Sequence, residues 1–162
     1  MGKRLVAAVL CSSIGLIGTT GLAFADTVGR YQCSVVGSSI PEPIGDRAGH
    51  NLQSIQYSCI GVEGLLKGAV LTGNAMVEWD GAKSFFLAAS TTHRAANGLA
   101  VGQLLEGSGS LAMENGKPLG QNASGTAAFR LASGAFAALS GKTLKWVSKP
   151  TGPNRFEQEY SE

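Results

Sequence analysis

From Tyr31 onward, apolar and polar residues trade places at every second position, and this period constrains the fold of the chain more than any other feature. Tyr31, Cys33 and Val35 alternate with Gln32 and Ser34. Ile55, Tyr57 and Cys59 alternate with Ser54, Gln56 and Ser58. The same pattern runs through Leu71–Asp80, Ser110–Glu114, Thr126–Leu131 and Phe156–Tyr160. Successive side chains of a strand point to opposite faces, so each run has one apolar face and one wetter face. Repeated along the chain, the pattern predicts an antiparallel sheet with one face on a core. No long stretch carries a helical period with caps. Asp80-Gly81 and Asn115-Gly116 tolerate positive φ and lie between strand-like runs, as hairpin turns do. Thr151 to Asn154 makes another break.

The first 25 residues follow a different logic. Lys3 and Arg4 form a basic head, Leu5 to Ile17 an apolar middle, and Ala23-Phe24-Ala25 a small-residue exit. These are the three parts of a cleavable secretory signal peptide. The apolar middle is short for a membrane span, which needs about 20 apolar residues. Acylation at Cys11 is disfavoured, because Leu10 before it is large and apolar sequence continues past it. The expected working protein is one domain, residues 26–162, exported to a periplasmic or extracellular space, with no membrane span after cleavage. Cleavage would reduce the 13 basic residues to 11, against 11 acidic ones. A balanced chain has no electrostatic case for nucleic acid. After cleavage only Cys33 and Cys59 remain. In an oxidising compartment two cysteines in phase with apolar neighbours pair most simply with each other.

Three glycine pairs recur at a spacing of five, each ahead of a strand: Gly68 and Gly73, Gly102 and Gly107, Gly120 and Gly125. Glycine inside a strand has a conformational cost, so its recurrence suggests bends or bulges that curl a sheet into a barrel. An all-β antiparallel barrel is therefore the expected fold, with a β-sandwich as the alternative.

The run from Gly98 to Leu111, followed by that from Ala132 to Lys142, resembles the later strands of allene oxide cyclase-like barrels, a look shared by small secreted bacterial proteins of unknown function. Gly45-Asp46-Arg47-Ala48-Gly49-His50 stands where such proteins place a Gly-Asp-x-x-Gly-His stretch after the first strand. The resemblance implies an antiparallel barrel with an apolar interior. The catalytic residues of the plant enzymes have no identifiable counterparts here, so cyclase activity is not carried over.

Chemistry has few places to sit. The connection from Gly37 to Gly49 contains two prolines and several glycines, which suit neither helix nor strand, and long connections of this kind often carry function. Within and beside it, Asp46 could orient His50 as a general base. The competing reading is a turn-stabilising Asp beside a His packed at a strand start. His93 ends an apolar run, where it is either a strand-end residue or a partner for His50 at a barrel mouth. Two histidines with Glu63, Glu78 or Glu106 could hold a metal, but no close-spaced ligand motif supports one, and no cofactor is expected. Glu78 alternates with Val77 and Trp79, so it is expected in solvent. Trp79, Trp146, Phe129 and Phe136 suit a core, though a barrel interior can also be a ligand cage. No nucleophile elbow, phosphate loop or dinucleotide fingerprint is present.

The expected function is noncatalytic: an exported barrel binding a small apolar ligand or a cell-envelope partner. An isomerase or cyclase acting on an apolar substrate is the second expectation, and a structural or assembly role the third.

Overall fold

A computed structural model describes residues 26–162; the expected signal peptide lies outside them. The chain forms β1 (Thr27–Val35), β2 (Glu42–Pro43), β3 (His50–Gly64), β4 (Val70–Asp80), β5 (Lys83–Ala95), β6 (Gly98–Glu114), β7 (Lys117–Gly134), a 3-10 turn (Ala137–Leu139), β8 (Thr143–Gly152) and β9 (Arg155–Ser161). From β3 to β9 each strand pairs antiparallel with the next. β1 then pairs with β9 on one side and β3 on the other. Eight long strands thus close into an up-and-down barrel, not a sandwich, and closure leaves no long unpaired edge. β2 is a two-residue addition paired to Leu52 and Asn51, so the Gly37–Gly49 connection is not wholly without strand.

The turns explain why neighbours in sequence are neighbours in space. Asn115 (φ 50°) and Gly116 (φ 76°) make a two-residue loop between the paired Glu114 and Lys117. Two positive φ values in succession give the turn whose twist matches the flanking strands. Cys33 and Cys59 are direct partners across β1 and β3 and are disulfide-bonded.

Period two fails where a bulge inserts an extra residue. β6 and β7 slip register between Val101 and Gly102, and again between Ala112 and Met113. Met113, expected inward, is exposed near the β6–β7 turn, where the extra residue of the second slip, Leu119, lies on β7. Leu131, also expected inward, lies beyond the extra residue Arg130 in its own strand and is exposed. An odd insertion switches the face of every residue beyond it. Leu87 and Leu105 lie at two further slips and are also exposed.

Gly102 sits at a bulge, as expected, but Gly73 and Gly107 serve a different purpose. A Cβ on Gly73 would collide with the Tyr57 ring, and one on Gly107 would lie 2.7 Å from the Trp146 ring. These glycines leave room for inward-pointing aromatics to lie flat on the neighbouring strand.

The two ends of the barrel differ. At the end holding the β3–β4 and β7–β8 connections, Leu66, Ala69, Phe136 and Leu139 fold over the barrel and pack with Tyr31, Phe129 and Leu144. Burying each large apolar side chain contributes about 1.5–3 kcal/mol, so this end is a solid plug. The opposite end carries the Gly37–Gly49 connection and the β4–β5, β6–β7 and β8–β9 turns, and it is hollow.

Candidate functional site

Outside the hollow end, the Gly37–Gly49 connection is clamped to the barrel wall. Gly45 (φ 91°) and Gly49 (φ 77°) allow the tight reversal that brings Asp46 back onto His50. Asp46 Oδ1 lies 2.5 Å from His50 Nδ1, and Glu78 Oε1 lies 2.7 Å from His50 Nε2. Both ring nitrogens therefore donate to carboxylates, which favours the imidazolium. The hydrogen bonds to Asp46 and then Glu78 raise the His50 pKa above its ordinary value. The bond to His50, with Arg47 nearby, holds the Asp46 carboxyl below its ordinary value. Arg47 extends the network, bonding Asp46 at 2.8 Å and Asp80 at 3.1 Å.

Asp46 and His50, paired in the sequence reading as a possible general base and its orienting group, are in hydrogen-bond contact. In this arrangement the ring has no free nitrogen to accept a proton. Glu78 lies on the outer face, as its phase required, but it is bound to His50 rather than left to solvent. The cluster acts physically as a clip joining the connection to β4.

His93 is neither at a strand end nor at the mouth. β5 runs on to Ala95, and the inward phase of the strand places His93 fully inside the plug. Its ring packs among Tyr31, Phe129 and Tyr160, with centroids 5.1–5.7 Å away. Burial drives its pKa down to about 4, so it is neutral. Nδ1 is 2.8 Å from the Tyr31 hydroxyl and Nε2 is 3.0 Å from Thr91 Oγ1. His50 and His93 therefore do not meet. Glu63 is paired with Arg30, and Glu106 points outward near Thr126.

The hollow end encloses a cavity of about 450 Å³. Ile55, Trp79, Phe86, Leu104, Trp146 and Phe156 supply much of its wall. Ile55, Phe86, Leu104 and Phe156 point inward yet are only half-buried, because they face empty space. Of the four aromatics considered from sequence, Trp79 and Trp146 line the cavity, whereas Phe129 and Phe136 belong to the plug. Ser39 and Pro41 bring the Gly37–Gly49 connection to the rim. Gln53 ties this rim to the wall: it accepts from Trp79 Nε1 at 2.7 Å and donates to the Ser39 carbonyl at 2.5 Å.

The side chains facing the plug are polar. Gln158 Nε2 donates to the Tyr160 hydroxyl at 2.8 Å. The Tyr160 ring packs against His93, and burial pushes its hydroxyl pKa well above the ordinary value. Thr91 meets His93, and His93 meets Tyr31. Two short polar runs, Gln158–Tyr160 and Thr91–His93–Tyr31, thus lie side by side between the cavity floor and the plug.

Asp46, His50 and His93 do not line the cavity, and among the described residues Arg155 at the rim is the only one lining it with a formal charge. Gln53, Thr91, Gln158 and Tyr160 went unrecognised in the sequence. The signal for Gln158 was its inward phase between Phe156 and Tyr160; Gln53 shares the phase of Ile55 and Tyr57. Comparison with protein-family models, with curated proteins and with solved structures finds no match for this chain.

Proposed function

We propose that this chain is an exported, noncatalytic barrel that binds a small apolar ligand in its hollow end. The carrying observation is the cavity: about 450 Å³, walled by aromatic and aliphatic side chains, with no acidic group among the described residues that line it. Cavities of this size with a few placed polar groups are usual for small-molecule sites. The Cys33–Cys59 bond supports the exported part of the reading, since disulfides persist in oxidising compartments. Native mass spectrometry of protein recovered from its own host, with lipids and metabolites retained, tests the reading. A bound apolar compound released on unfolding is the expected result. An empty cavity, with no thermal stabilisation by any apolar compound screened, would overturn it.

The resemblance to allene oxide cyclase-like barrels keeps an isomerase or cyclase as the second reading, but fold does not imply function. A substrate in the cavity would lie beyond His50, which is outside, and above His93, which is neutral beneath the floor. The envelope-partner version draws on a different surface. Met76, Phe85, Leu87 and Leu105 are exposed on the outer wall of β4 to β6. Light scattering across concentration and crosslinking in the host would show whether that wall is covered by another protein.

A further inference from the structure

We infer that the cavity takes its ligand polar end first, with a hydroxyl or N–H on the ligand donating to the side-chain carbonyl of Gln158. This deepens the ligand-binding reading above and rests on it.

The inference starts from an unused hydrogen-bonding atom. Gln158 is only 7% exposed and lines the cavity floor. Its Nε2 is committed to Tyr160, and that is the one side-chain hydrogen bond it makes among the described residues. No enclosed side-chain nitrogen or oxygen there lacks a partner. The Gln158 Oε1 therefore faces the cavity space. Gln53, by contrast, uses both ends of its amide within the protein. The buried Tyr160 hydroxyl holds the amide nitrogen from behind and leaves the carbonyl as the forward atom.

A purely apolar ligand reaching the floor would displace water from that carbonyl and leave it unpaired. A ligand with a donor at its leading end replaces the lost bond. One hydrogen bond of this kind is worth about tenfold in affinity. The opposite orientation would place a charged head at Arg155. That side chain is exposed, and a pair formed there in water gains little. The buried acceptor is therefore the stronger determinant of ligand choice.

Calorimetric titration of the purified protein with 2-naphthol, 2-methoxynaphthalene and 2-ethylnaphthalene separates donor, acceptor and hydrocarbon on one skeleton. The expected ranking has 2-naphthol about tenfold tighter than the other two. In Gln158→Leu that advantage should vanish while 2-ethylnaphthalene still binds. On the unaltered protein, 2-naphthol should also shift the Gln158 side-chain amide resonance, a readout that does not depend on the variant folding. Equal affinity for naphthol and hydrocarbon would overturn the inference while leaving an apolar-ligand site. So would a preference for the methoxy compound, or tighter binding of 2-naphthoate that is lost in Arg155→Gln. If none of these compounds binds and none of any other apolar class does, the underlying function falls as well.

Discussion

An imidazole with a carboxylate on each nitrogen keeps its proton, and one enclosed by aromatic rings gives it up. His50 and His93 show the two cases on one barrel. The folded pKa of His50 is raised, so its stabilising contribution is fully present below the unfolded value near 6.5 and is lost as pH rises through the folded value. His50→Gln should therefore destabilise the protein more at pH 6 than at alkaline pH, as chemical denaturation at the two pH values would show. An equal loss at both would mean that His50 stabilises by packing rather than charge. His93 has the opposite sign. Its folded pKa lies at about 4, so unfolded chains take up a proton that the native state refuses as pH falls from about 6.5 towards 4. Stability should decline across that window, and His93→Gln should flatten the decline even if the variant is less stable overall. The sequence placed Asp46 and His50 together because they are four residues apart across a glycine-rich turn. It could not show Glu78 closing the cluster, because that meeting depends on the β3–β4 register.

Strands are where the sequence was most legible, and bulges where it was least. Alternation identified the inward faces of β1, β3 and β4 because these runs hold register for many residues. It misplaced Leu131 because a bulge leaves no mark in a period of two. Two predictions belong to this scale. The Cys33–Cys59 bond closes a segment with a sequence separation of 26 residues, for which chain entropy gives about 3.5 kcal/mol of stabilisation. Replacing both cysteines with serine should lower the unfolding free energy by about that much. Intact-mass analysis of the unreduced protein should show two hydrogens fewer than the reduced form. Two alkylatable thiols before reduction would contradict the bond. The glycines make the second case. Gly107 lies beneath Trp146, Phe86 and Leu104, with no space for a methyl group. Gly107→Ala should cost about 1–3 kcal/mol through overpacking and change the Trp146 fluorescence. An alanine accepted without loss would show that the indole can shift into the cavity at no cost.

The whole molecule divides stability from binding by end. The plug gathers Tyr31, Phe129, Phe136, Leu139 and Leu144 into close packing, whereas the hollow end keeps apolar walls apart. Sequence composition cannot make this division, because Phe129 of the plug and Trp79 of the cavity both occupy inward strand positions. What separates them is distance along the barrel from the folded-over Leu66 and Phe136. The division has a measurable consequence when the two ends are perturbed separately. Phe136→Ala removes a buried ring from the plug and should cost about 3–5 kcal/mol while leaving the affinity for an apolar probe nearly unchanged. Ala89→Phe places a ring where a half-buried alanine faces the cavity. It should abolish probe binding and leave stability equal or higher, since it fills space without displacing packed atoms. Denaturant unfolding and titration with 2-naphthol on both variants would check this. If Phe136→Ala weakened binding as much as it weakened folding, the plug and the cavity would form a single cooperative unit. If Ala89→Phe left binding intact, the ligand site would have to lie elsewhere on the barrel.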